Sequence, residues 1–122
     1  MKRLGDAELE IMLAIWGADG PVQSTYVHQK LKERRGWALP AVITALSRLT
    51  GKGFLACEKQ GRSNRYTALV TEQEYQAEEG RSVLDRLYGS SFTGMVASLY
   101  DGRAIGKKEL DELRQYLDGL ED

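Results

Sequence analysis

The sequence predicts a mainly α protein with one small β-hairpin, organised as two domains over 1–70 and 71–122. Three observations carry this expectation. Apolar residues recur at helical spacing in three successive segments up to Leu49. The period then changes to two between Phe54 and Val70. The charge reverses sign at about the same place: residues 1–70 hold 11 Lys and Arg against 6 Asp and Glu, a net of +5, and residues 71–122 hold 6 against 12, a net of −6.

Taken in order, Asp6 is placed to cap a helix running to about Trp16, with Glu8 and Glu10 near the positive end of its dipole. Leu9, Met12, Leu13 and Trp16 fall at i, i+3, i+4 and i+7 and define its expected apolar face. Gly17, Gly20 and Pro21 stop it, and Val22-Gln23 reads as a brief extended segment. Ser24 or Thr25 caps a second helix to Arg35, with Val27 and Leu31 inward, and Gly36 ends it. A third helix starts near Leu39 or Pro40, since proline is tolerated in a first turn whose N–H groups have no intrahelical partner. Val42, Ala45, Leu46 and Leu49 form its inward stripe.

Phe54 to Lys59 and Arg65 to Val70 then read as two strands, joined by a turn over 60–64. Beyond them the chain becomes acidic and helical. Glu72 to about Tyr88, a stripe of Phe92, Met95, Val96 and Leu99, and a last stripe through Leu110, Leu113 and Leu117 give three short amphipathic helices. They lack a large core of their own, and a second copy of the chain is the simplest surface to cover them. Leu87, Phe92, Met95, Val96, Leu99, Leu110, Leu113 and Leu117 are therefore the candidate dimerisation residues.

Composition narrows the function. At 42% hydrophobic the chain can build a core, and one cysteine rules out an internal disulfide or a Cys-cluster metal site. No apolar run approaches the roughly 20 residues of a spanning helix, and the N-terminus lacks a signal-peptide layout. A cytoplasmic chain without metal, cofactor or membrane insertion is expected. With His28 and Cys57 as the single histidine and cysteine, and no glycine-rich phosphate loop, no catalytic constellation can be assembled. His28 has no partner at helical spacing for a metal. Cys57 alternates with Leu55 and is expected to be a buried small apolar residue. Trp16 and Trp37 are expected in the core.

Three helices followed by a hairpin with a basic tip is the order of a winged helix-turn-helix, whose third helix reads DNA. With Val42, Ala45, Leu46 and Leu49 inward, Ala41, Thr44, Ser47 and Arg48 face the groove side. Arginine takes guanine bidentately, and Ala or a Thr methyl meets a thymine methyl. Arg62 and Arg65 flank the hairpin tip, where a wing approaches phosphates or the minor groove. Ser24 and Thr25 serve either as phosphate contacts at a helix N-terminus or as plain caps; the sequence leaves both open. The alternative to a DNA-binding protein is an interaction module that keeps the fold without specific DNA binding.

Asp6-Ala7-Glu8-Leu9-Glu10-Ile11-Met12, Ile15-Trp16, Trp37, Thr44 through Arg48-Leu49 to Lys52-Gly53, Gly61-Arg62 and Tyr66 resemble the penicillinase-repressor family of β-lactamase and methicillin-resistance regulators. The likeness continues through Arg86-Leu87-Tyr88, Met95-Val96 and Glu109-Leu110-Asp111-Glu112-Leu113. It implies a homodimeric repressor that binds a palindromic double-stranded operator through two winged helices, clasped by the C-terminal helices. In the best-known members a membrane sensor protease triggers cleavage in the C-terminal segment and releases the operator. Pro40-Ala41 stand where the family has a polar or basic residue followed by Thr, and Ser98-Leu99 align with its usual Asn-Phe cleavage point.

Overall fold

The computed structural model describes residues 1–120. Its elements follow in the order α1 (Asp6–Trp16), β1 (Val22–Gln23), α2 (Ser24–Arg35), α3 (Leu39–Gly51), β2 (Leu55–Gln60), β3 (Ser63–Ala68), α4 (Glu72–Tyr88), α5 (Phe92–Asp101) and α6 (Lys107–Asp118). The strands form one antiparallel sheet in the order β1-β3-β2. Helices α1 to α3 with this sheet make a winged helix-turn-helix, as the element order predicts. No helix among the described residues is long and apolar enough to cross a membrane.

The chain divides into two compact units, Met1–Glu79 and Gly80–Asp122. Every buried side chain among the described residues belongs to the first. Its centre is the α3 stripe of Val42, Leu46 and Leu49, joined by Ile11, Met12, Val27, Phe54 and Leu55. Tyr75, in the first turns of α4, closes this core: its ring lies 5.9 Å from Trp16 and 6.0 Å, edge-on, from Phe54. Its hydroxyl accepts the Leu4 N–H at 3.0 Å, and the Trp16 indole donates to the Val70 carbonyl at 2.8 Å. Both are buried or half-buried polar groups that would be costly to leave without partners.

The ends of the elements follow local chemistry. Gly36 takes φ 62°, the left-handed conformation that glycine adopts freely, and its N–H closes α2 on the Lys32 carbonyl. Thr71 and Glu74 form a reciprocal capping box at the start of α4, with side-chain contacts to each other's N–H at 3.1 and 3.0 Å.

Five expectations are corrected. The residue capping α1 is Gly5, whose N–H the Glu8 carboxylate accepts; Asp6 is already helical. The buried face of α1 is Ile11, Met12 and Ile15, while Leu13 is exposed. That helix is apolar almost all round, so its spacing fixes the period but not which face meets the sheet. Ser24 and Thr25 lie inside the first turn of α2, capped by the extended backbone of Gln23 with no side-chain hydrogen bond. The wing turn is only two residues long: Gln60 pairs with Ser63, and Gly61 takes φ 63° at the first turn position.

Cys57 is also not where alternation puts it. It is exposed, although Leu55 is buried. The two share a face, but β2 is an outer strand: Tyr66, opposite Cys57 on the central strand β3, stays buried while Cys57 does not. Trp16 and Trp37 are partly buried and pack against the core, as expected.

The second unit holds the end of α4 with α5 and α6. Ser91 caps α5 by accepting the Gly94 N–H at 2.9 Å, and Glu109 accepts the Gly106 N–H at the start of α6. None of its described side chains is fully buried. Leu87 is 70% exposed, Leu117 53% and Phe92 49%, while Met95, Val96, Leu99, Leu110 and Leu113 are half-buried.

Candidate nucleic-acid interface

The outward side of α3 is set by what its inner stripe leaves free. Ala41, Thr44, Ser47 and Arg48 are all exposed, as the spacing predicts. Ala41, Thr44 and Arg48 share a shallow groove with Ala7, Glu8 and Trp37; Ser47 lies outside it. The Thr44 hydroxyl turns back to donate to the Pro40 carbonyl at 3.0 Å. Ile43 is exposed at 43% beside these residues. In the sequence its only mark is that of a large apolar residue off the inward stripe.

Helix α3 is held from α1. Lys52, its C-cap, donates to the Glu8 carboxylate at 2.6 Å, and the Gly5 N–H reaches the same side chain at 3.1 Å. The Lys52 hydrogen bond holds the Glu8 carboxyl below the usual carboxylate range. The Gly5 N–H and the charges of Lys52 and Arg48 add to it, against an opposing push from burial. A depressed folded value means that this contact stabilises fully above the ordinary carboxylate range and is lost as pH falls through the lower folded value. Glu8→Gln is accordingly expected to cost about 1 kcal/mol near neutral pH. The gap to wild type should close in acid, as read by urea melts over a pH series; a constant gap would refute the role of this charge.

The wing and α2 meet through the sheet. Gln23 pairs with Arg65 across β1 and β3, so Arg65 stands beside the residue that caps α2. Ser24 and Thr25 follow directly, in a first turn whose N–H groups no side chain caps. A cation is thus brought next to a helix N-terminus, and both attract an anion. Arg62 occupies the turn itself. Among the described residues no ion pair engages Arg62 or Arg65, whereas Arg35 is paired with Glu10 and Lys52 with Glu8. Lys30 lies 5.5 Å from the centre of the Tyr26 ring. His28 contacts the Trp37 carbonyl at 2.9 Å, which fixes the segment leading into α3. No cluster of potential metal ligands occurs among the described residues.

The chain is similar to known proteins. The penicillinase repressor of Bacillus licheniformis is 31% identical over 116 residues, 95% of this chain and 90% of that protein. The transcriptional regulator BlaI of Mycobacterium tuberculosis is 30% identical over 123 residues, 99% and 87% of the two chains. Among solved structures, the DNA-binding domain of the repressor BlaI superposes with a TM-score of 0.53 at 35% identity, covering 62% of this chain and 94% of that one. The monomeric form of Bacillus licheniformis BlaI in complex with the blaP half-operator superposes with a TM-score of 0.52 at 34% identity, over 61% and 89%. The family model described as penicillinase repressor matches residues 4–119, and this chain belongs to the penicillinase-repressor family.

Proposed function

We propose that this chain is a dimeric transcriptional repressor that binds a palindromic operator in the cytoplasm. The observation that carries the reading is the solvent-facing side of α3, together with a basic wing, on a fold shared with a relative solved on a half-operator. Ala41, Thr44, Ser47 and Arg48 face the major groove, with Arg48 the one side chain able to take guanine bidentately. Arg62 and Arg65 contact phosphate, and Ser24 and Thr25 offer hydroxyls and helix N–H groups to the same backbone.

Dimerisation rests on the second unit, where Leu87, Phe92, Met95, Val96, Leu99, Leu110, Leu113 and Leu117 remain exposed or half-buried. A two-fold dimer reads two half-sites in inverted order, hence a palindrome. If a membrane sensor protease system releases the operator by cutting near Ser98-Leu99, α5 must first open locally. That bond lies within the helix, and proteolysis acts on locally opened chain.

The test compares duplex from upstream of the chain's own gene with random duplex over a salt series. The expected result is binding to the upstream duplex at least about a thousandfold tighter than to the random one. Sedimentation at micromolar concentration should show a dimer. Equal weak binding to both duplexes would instead make the chain an interaction module, and a monomer would remove the role given to the second unit.

A further inference from the structure

Along α3, Pro40, Ile43, Thr44 and Ser47 stand at i, i+3, i+4 and i+7, and all four are exposed. They form one outward stripe. Its middle is apolar. Pro40 carries no N–H, Ile43 is a branched hydrocarbon, and the Thr44 hydroxyl already donates to the Pro40 carbonyl. Thr44 therefore offers the groove its methyl group and an acceptor, but no free donor. Hydrogen-bond donors are left to Ser47 and Arg48, towards the C-terminal half of the helix.

Folding does not account for this stripe. Ile43 belongs neither to the buried core nor to the partly buried residues packed on it, and leaving such a side chain in water forgoes the gain of burying it. In the major groove the one apolar group a base presents is the C5-methyl of thymine. A recognition helix meets base edges with its N-terminal residues, which is where Ile43 and Thr44 lie. A protein surface is a poorer occupant, because residues 1–70 carry a net charge of +5, which suits a phosphate-rich partner.

We propose that Ile43, with the methyl group of Thr44, reads thymine C5-methyl groups, so that this chain selects its operator at those positions by apolar contact. The inference rests on the DNA-binding reading of α3 and names the chemical group that helix recognises.

The experiment uses the intact chain to select duplexes from a random-sequence library. The recovered duplex is then prepared with thymine and with deoxyuridine, which differ only in the C5-methyl. Wild type is expected to bind the deoxyuridine duplex about fourfold more weakly for each methyl contacted. Ile43→Ala, an exposed substitution whose folding is checked by an unchanged thermal melt, should lose most of that discrimination. If sequences are recovered but wild type binds both duplexes alike, methyl reading is overturned and operator binding stands. If the discrimination persists in Ile43→Ala, the role of Ile43 is overturned. If no sequence is recovered above random, both this inference and the repressor reading fall.

Discussion

Replacing Tyr75 by alanine is expected to lower the unfolding free energy of the first unit by about 3 to 5 kcal/mol, the usual cost of deleting a buried aromatic ring. The ring is buried at 6% exposure, and it touches Trp16 and Phe54 while its hydroxyl holds the Leu4 N–H. Tyr75→Phe keeps the ring and removes only the hydroxyl. It leaves one buried donor without a partner and should cost about 1 to 3 kcal/mol. Urea melts of the two variants separate packing from hydrogen bonding. A Tyr75→Ala variant as stable as wild type would mean that α4 is not part of this core.

The second large effect is on DNA affinity. Raising salt from about 50 to 200 mM should weaken binding about a hundredfold if roughly four phosphates are neutralised, since each released counterion adds about 0.9 to the logarithmic slope. Arg62→Ala and Arg65→Ala should each flatten that slope by about one and weaken binding to all sequences alike. Titration of operator and random duplexes with each variant reads both quantities. A variant that altered sequence preference while keeping the full slope would place its arginine on a base edge and not on the backbone.

Much of this was legible in the sequence because period and composition act locally. The α3 stripe of Val42, Leu46 and Leu49 is buried as its spacing requires, and Glu72 to Tyr88 is helical over the expected range. What escaped depends on neighbours that a linear pattern does not contain. Leu13 and Ile11 are equivalent to a hydrophobic count, and only the packing around α1 buries one and exposes the other. Cys57 keeps the parity of Leu55 but lies on an outer strand, beside a central-strand Tyr66 that takes the cover. Ser24 has the chemistry of a cap, yet the helix begins one residue before it was needed as one. Ile43 is hard to see for a different reason: polar groups are the usual mark of a reading face, and this exposed residue on it is hydrocarbon.

The absence of buried side chains among the described residues of the second unit has a consequence for how much of this protein a cell must hold. If the second unit takes its core from a second copy, as proposed, it is stabilised by mass action, and its resistance to melting rises with its own concentration. At low copy number the chains would spend more time apart, with their C-terminal halves open to degradation. On that reading repression would decline faster than abundance does, with a threshold set by the strength of a leucine-lined contact between copies.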